Sequence, residues 1–193
     1  VAKIKTKSLI LIALFAALTA VGGFIRIPLP YVPFTLQILS VFLSGALLGP
    51  KLGMMSQLIY VLAGLAGAPI FTKGGGPEYI FQPTFGYLIG FILGAFTGGW
   101  VAQKLKSARL HALFLANFSC LVVVYFIGWL WLYGDMNYIM STPITLKQAF
   151  IFGCLIPIPG DLILCVLCSI LSARMMPIIK PRFSIQQQGV IKK

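Results

Sequence analysis

The chain has 193 residues, of which 59% are hydrophobic and only 9% charged, and its mean hydropathy is +0.98. That composition excludes an ordinary soluble domain and marks an integral membrane protein. Three acids (Glu78, Asp135 and Asp161) face fifteen Lys and Arg, a net charge of +12, but the basic residues cluster at the ends of apolar runs, so lipid headgroups rather than nucleic acid are the expected counter-charge.

The first apolar run, Ser8–Ile25, is just long enough to cross the hydrocarbon core. Lys3, Lys5 and Lys7 before it give it the look of a signal peptide. No convincing cleavage site follows and the later topology needs this helix, so it is kept as a span. Ala13 with Ala17, and Ala16 with Ala20, form two overlapping small-xxx-small pairs. Such pairs let another helix approach closely, either within this chain or in a partner subunit.

Arg26–Phe34 carries three prolines in nine residues and is expected to be an extended connector. Thr35–Leu48, a short apolar helix containing Gln37 and Ser40, follows it. A tight turn at Leu48–Lys51 leads to a third apolar segment, Leu52–Ala66. Both segments are short for upright spans, so part of the flanking chain is expected at membrane depth, shielded by protein. Gly67–Phe85 is irregular, and Gly74, Gly75 and Gly76 rule out stable helix there. Consecutive glycine amides can form an anion-binding nest, so this loop reads as either a flexible connection or a binding lid. The GK[ST] ending of a nucleotide-binding loop is absent.

Gly86–Val101 is the fourth predicted span, with Gly86, Gly90, Gly94 and Gly98 forming a stripe for close helix contact. A basic loop, Gln103–His111, precedes the fifth span, Ala112–Tyr133, whose Trp129, Trp131 and Tyr133 suit an interfacial anchor. Gly134–Lys147 reads as a polar loop, and Gln148–Met176 contains the sixth span. Cys120, Cys154, Cys165 and Cys168 all fall in apolar runs, and Cys165 and Cys168 make a single CxxC with the one histidine, His111, far away. A zinc site needs about four ligands, so the thiols read as small apolar fillers, and neither metal, cofactor nor disulfide framework is expected.

With the N-terminus inside, twelve basic residues fall in cytoplasmic segments and three (Arg26, Lys73 and Lys147) outside. The bias predicts an all-α membrane protein of six transmembrane helices with both termini cytoplasmic. The connector, the glycine loop and the 134–147 loop then share the outer face. Residues 1–176 form one domain, and 177–193 a basic cytoplasmic tail that lies on the surface or is disordered.

Asp161, in IPIPGDLIL (Ile156–Leu164), is an acid at membrane depth. A carboxylate there costs several kcal/mol, on the order of 3, unless paired or facing a polar cavity. Pro157, Pro159 and Gly160 loosen the backbone just before it. It is either a helix cap or the acid of an outward-facing small-molecule pocket, and a capping acid can also face a ligand.

Four stretches together resemble the BioY family of biotin-capturing S components from energy-coupling-factor transporters. They are PLPYVPFTLQ (Pro28–Gln37), LLGPKLG (Leu47–Gly53), the AGLAGAPIF, GGG and PTFGYLIGF run (Ala63–Phe91) and IPGD (Ile158–Asp161). The likeness covers most of Ala13–Ser172. It implies six helices in a bacterial cytoplasmic membrane, biotin as ligand from the outer side, and partners in a transmembrane coupling subunit and two ATPases. It places Asp161 against the ureido ring, whose N–H donors suit an acceptor-only carboxylate. Tyr79, Phe85 and Tyr87 would pack the apolar middle. Lys73, assisted by the amides of Gly74, Gly75 and Gly76, would meet the ligand carboxylate, and Gln37 joins the ligand-binding set. The family's AxxxA contact with the coupling subunit falls on Ala13–Ala17 or Ala16–Ala20.

Two positions depart from the family pattern. Leu164 stands where a lysine is usual, and Gly75 where some relatives carry a polar side chain. Either another cation such as Arg26 or Lys73 balances Asp161, or the acid holds a proton until ligand arrives. A different small vitamin or a biotin analogue is the alternative ligand. A membrane enzyme using Asp161 lacks the second titratable partner it needs, and a pure assembly scaffold would use only the alanine and glycine stripes.

Overall fold

The computed structural model describes the backbone of residues 6–188 and the side chains of 6–176. Lys3 and Lys5 of the basic N-terminal segment, and residues 189–193 of the tail, lie outside the described residues. The described residues are mostly helical. Helix α1 spans Thr6–Phe24, α2 Gln37–Leu43, α3 Pro50–Leu65, α4 Phe85–Leu105, α5 Leu110–Gly134, α6 Leu146–Phe150 and α7 Ile158–Gln188. The proline-rich connector folds as a two-stranded antiparallel hairpin, β1 (Arg26–Ile27) with β2 (Phe34–Thr35), pairing Arg26 with Thr35 and Ile27 with Phe34.

Among the described residues four helical stretches are long and apolar enough to cross a membrane: Thr6–Phe24, Phe85–Leu105, Leu110–Ile139 and Leu146–Met176. The apolar helix Gln37–Leu48 is shorter, as is α3 with 16 residues. The chain is thus a helical membrane protein. The reason for the two short elements is local: α2 widens into a broad turn over Ser44–Leu48 and stops at Gly49. Gly49 has φ +84°, a left-handed conformation that a side chain would strain, and Pro50 then opens α3 at a position where its missing N–H costs nothing.

One expectation needs correcting. The segment from Gly134 is not a polar loop throughout, because α5 carries on through a wide helical turn over Asp135–Ile139. Asp135 therefore stays on the inward face of the helix, 2% exposed, with neither carboxylate oxygen hydrogen-bonded. Helix α7 runs on to Gln188, past Met176, after which the expected tail begins. At the other end of that hairpin of helices, Thr145 and Gln148 form a reciprocal capping box that starts α6, with Thr145 N donating to Gln148 Oε1 over 2.8 Å and Gln148 N to Thr145 Oγ over 3.2 Å.

The four glycines of α4 set its distance from α5. A Cβ on Gly90 would lie 2.9 Å from Val124 Cα, one on Gly94 would lie 2.8 Å from Val124 Cγ2 and 3.0 Å from Cys120 Sγ, and one on Gly98 3.0 Å from the Ala116 carbonyl oxygen. A Cβ on Gly86 would overlap Trp131. The helices meet backbone to backbone, the geometry that small residues allow where no hydrophobic force drives helices together. On the far side of α4, Gly45 and Gly99 perform the same service: a Cβ on Gly45 would lie 2.7 Å from the Ala95 carbonyl oxygen, and one on Gly99 2.6 Å from Pro50 N. A buried polar chain ties α1 to α3 and to the turn after α2, with Thr19 Oγ donating to Gln57 Oε1 (3.1 Å) and Gln57 Nε2 to Ser44 Oγ (3.2 Å).

Helix α1 separates its two alanine pairs. Ala16 is buried and Ala20 packs against the core, whereas Ala13 and Ala17 are exposed beside Leu9, Leu14 and Leu18.

Gly90→Leu is expected to force α4 from α5 and to cost about 1–3 kcal/mol by overpacking. Thermal unfolding in detergent should show a clear fall in midpoint, and an unchanged midpoint would contradict the close contact.

Candidate functional site

A cavity partly open to the surface lies between the connector, the starts of α2 and α7, the first turns of α4 and the middle of α5. Its walls come from the connector (Val32, Phe34, Thr35), the start of α2 (Gln37, Ile38), the loop before α4 (Thr72, Tyr79, Thr84), α4 itself (Tyr87, Leu88, Phe91), α5 (Val124, Tyr125) and the α6–α7 corner (Pro157, Asp161). Most of that lining is apolar. Among the described residues lining it, Asp161 carries the only charge, and no Lys, Arg or His faces it.

Asp161 is held in place rather than left to wander. Pro159 sits in the first turn of α7, where a missing N–H is tolerated, and the Asp161 amide donates back to the Pro157 carbonyl over 3.2 Å. The carboxylate thus projects from the first helical turn, where the helix dipole favours negative charge. Tyr125 of α5 donates its hydroxyl proton to Asp161 Oδ2 over 2.6 Å, a short hydrogen bond. Oδ1 accepts no hydrogen bond among the described residues. One oxygen is fixed and the other is left for a donor.

The roof of the cavity is pinned from several sides. A Cβ on Gly160 would lie 2.5 Å from the Phe34 ring, so only glycine lets β2 settle on the start of α7. Tyr31, at φ 62°, packs its ring against Phe152 with centroids 5.2 Å apart. Gln37 accepts from Thr35 Oγ over 3.2 Å and donates to the Tyr60 hydroxyl, which reaches the Ile70 carbonyl over 3.3 Å. Tyr79 bonds Thr72 Oγ at 2.8 Å and Thr84 Oγ at 3.0 Å, fastening the loop before α4. Tyr87 donates to the Gly153 carbonyl at 2.7 Å and joins α4 to the α6 segment. The lining hydroxyls are therefore engaged with the protein itself.

Of the residues expected from sequence, the structure gathers Asp161, Gln37, Tyr79 and Tyr87 around this cavity. Phe85 does not line it; its buried ring packs on Trp131, centroids 5.3 Å apart. Lys73 is exposed on the loop, next in sequence to the lining Thr72. Gly74, Gly75 and Gly76 are not lining residues either. Gly74 N donates to the Phe71 carbonyl over 3.2 Å and Gly76 N to the Gly64 carbonyl over 2.8 Å, while Gly75 packs tightly on the Ala68 carbonyl. Two of the three amides proposed for a nest are thus already engaged inside the loop. None of residues 134–147 lines the cavity; the corner at Pro157 takes the place expected for that loop.

Sequence reasoning passed over Tyr125, Phe34, Thr72 and Thr84. Tyr125 carried a usable signal: it sits eight residues before the interfacial Tyr133, well inside an apolar span. A phenol there needs a buried partner.

The sequence model of the BioY family matches residues 1–181. A probable biotin transporter BioY from Lysinibacillus sphaericus is 42% identical over 188 residues, covering 97% of this chain and 96% of that protein. A biotin transporter BioY from Rhizobium etli is 33% identical, covering 89% and 94%. Among solved structures, the S-component for biotin from an ECF-type ABC transporter is similar with a TM-score of 0.77 and 28% identity, over 90% of this chain and 94% of that one.

Removing one member of the Tyr125–Asp161 pair strands a buried polar group, which costs about 1–3 kcal/mol. Tyr125→Phe and Asp161→Leu should therefore couple by at least about 1 kcal/mol in a double-mutant cycle read by thermal unfolding. Additive effects would contradict the bond.

Proposed function

The chain belongs to the BioY family, and from that premise we propose that it is the S component that captures biotin outside the cell and passes it inward. It does so with a transmembrane coupling subunit and two ATPases, in a bacterial cytoplasmic membrane. It is a transport component and not an enzyme. One observation carries the reading at this chain's own residues: a carboxylate with one oxygen fixed by Tyr125 and the other unbonded, in a small, mostly apolar cavity.

Biotin matches that arrangement from end to end. Its ureido ring offers N–H donors, which an ionised carboxylate can only accept. Its fused rings and aliphatic chain suit Val32, Phe34, Ile38, Leu88 and Phe91. Its carboxylate is best left at the rim, because the described lining residues include no cation and already include the acid Asp161. Two exposed cations stand next to lining residues there. Arg26 is the register partner of Thr35, and Lys73 follows Thr72. We assign the ligand carboxylate to that rim, Lys73 first.

The direction of transport rests on the basic residues. Six transmembrane segments with both termini inside put twelve of the fifteen on the cytoplasmic side, and the cavity mouth outside. The two short helices α2 and α3 then count as spans, their ends shielded by α1 and α4. The coupling subunit is assigned to the exposed Ala13–Ala17 face of α1, since Ala16 is buried in the protein's own core.

Two measurements bear on this. Asp161→Asn keeps the shape but loses the acceptor charge, and biotin affinity of the purified protein should fall at least tenfold, about 1.4 kcal/mol; equal affinity would remove Asp161 from recognition. Ala17→Trp should leave biotin binding by the isolated protein intact while abolishing labelled-biotin uptake by the assembled transporter. Normal uptake would move the partner face elsewhere.

A further inference from the structure

The cavity sets a carboxyl group against the neutral ureido head of the ligand. Asp161 is the single charged side chain among the described lining residues, and its hydrogen-bond partner Tyr125 is a neutral donor. Arg26, paired in register with the lining Thr35, and Lys73, next in sequence to the lining Thr72, are both exposed and are not among the lining residues. Leu164, one turn after Asp161 on α7, is apolar and buried. A neutral cyclic urea satisfies one hydrogen bond of the carboxylate and leaves its charge uncompensated in apolar surroundings, which is costly. The urea also places its own carbonyl oxygen beside each N–H, an acceptor turned toward an acceptor.

Replacing that carbonyl oxygen by a protonated imino group changes both features. The head becomes a planar guanidinium carrying one positive charge. Its ring N–H and exocyclic N–H now point the same way, as the two-pronged donor that carboxylates bind best. Asp161 can meet it, because Oδ1 is unbonded and Oδ2 keeps a lone pair beside the one taken by Tyr125.

We propose that this cavity takes bicyclic ligands with a cationic cyclic guanidine head, with 2-iminobiotin as the simplest member, at least as well as it takes the neutral urea. The inference rests on the biotin-binding reading above and extends it to a second ligand class. The cation neutralises Asp161 where the urea cannot, and the remainder of the molecule is unchanged, so the apolar wall contacts are the same for both ligands.

The test is calorimetric titration of the purified full chain with biotin and with 2-iminobiotin at neutral pH, where the imino analogue is protonated. The expected result is an iminobiotin affinity equal to or tighter than that for biotin. In Asp161→Asn the preference should reverse, with iminobiotin weaker than biotin by tenfold or more. In Tyr125→Phe, where no phenol competes for the carboxylate, the ratio of iminobiotin to biotin affinity should rise above the wild-type ratio, which keeps the test open if the Asp161 variant does not fold. Biotin binding with weaker iminobiotin binding by the wild type would overturn the inference and leave the biotin reading standing. An iminobiotin preference that survives Asp161→Asn would overturn it too, since the cation would then be read elsewhere. Binding of neither ligand would overturn the biotin reading and this inference with it.

Discussion

A carboxylate surrounded by apolar groups has to be given a partner, and much of the cavity end of this protein follows from meeting that requirement at Asp161. Tyr125 supplies one bond from α5, the first turn of α7 supplies a favourable dipole, and the cavity supplies room for a second donor. Each comes from a different stretch of chain. The site therefore exists only when α5 and α7 are packed and the connector has closed over the corner at Pro157. This makes the cavity a property of the folded bundle rather than of any single loop.

The glycine contacts and the cavity are linked by the same geometry. Gly86, Gly90, Gly94 and Gly98 hold α4 close to α5, and that closeness brings Tyr87 and Tyr125 to neighbouring positions on the cavity wall, their rings 6.3 Å apart and perpendicular. Gly160 acts likewise at the roof, where a side chain would displace Phe34. Small residues where backbones meet leave the larger aromatic groups to shape the space that remains. Engaged hydroxyls on Tyr79, Tyr87 and Tyr125 then fix those aromatic walls, so little side-chain freedom is left to lose when a ligand binds.

Much of this was legible in the sequence because it is written in local patterns. An acid inside an apolar run, glycines every four residues, and three prolines in nine residues each have one dominant physical consequence, and the structure places Asp161 at a cavity, the glycine stripe against α5, and the connector in extended hairpin form. The less legible parts depend on tertiary geometry. Nothing local says that Asp135 stays helical and faces inward, because the wide turn after Gly134 decides it. Nothing local says that the Gly74 and Gly76 amides bond to Phe71 and Gly64, since loop hydrogen bonds depend on what packs beneath. Which alanine pair of α1 is exposed is a matter of helix rotation, and spacing alone cannot fix it. Tyr125 lay between these cases: its position deep in a span was visible, but its partner on another helix was not.

The central claim is that Asp161 reads the ureido end of biotin while the ligand's carboxylate stays at the rim, and a crystal structure of the protein with biotin bound tests it most directly. The account predicts a ureido nitrogen within hydrogen-bond distance of Asp161 Oδ1, the Tyr125 bond to Oδ2 intact, and the carboxylate beside Lys73 or Arg26. Biotin bound the other way round, or seated in the bundle away from Asp161, would contradict it.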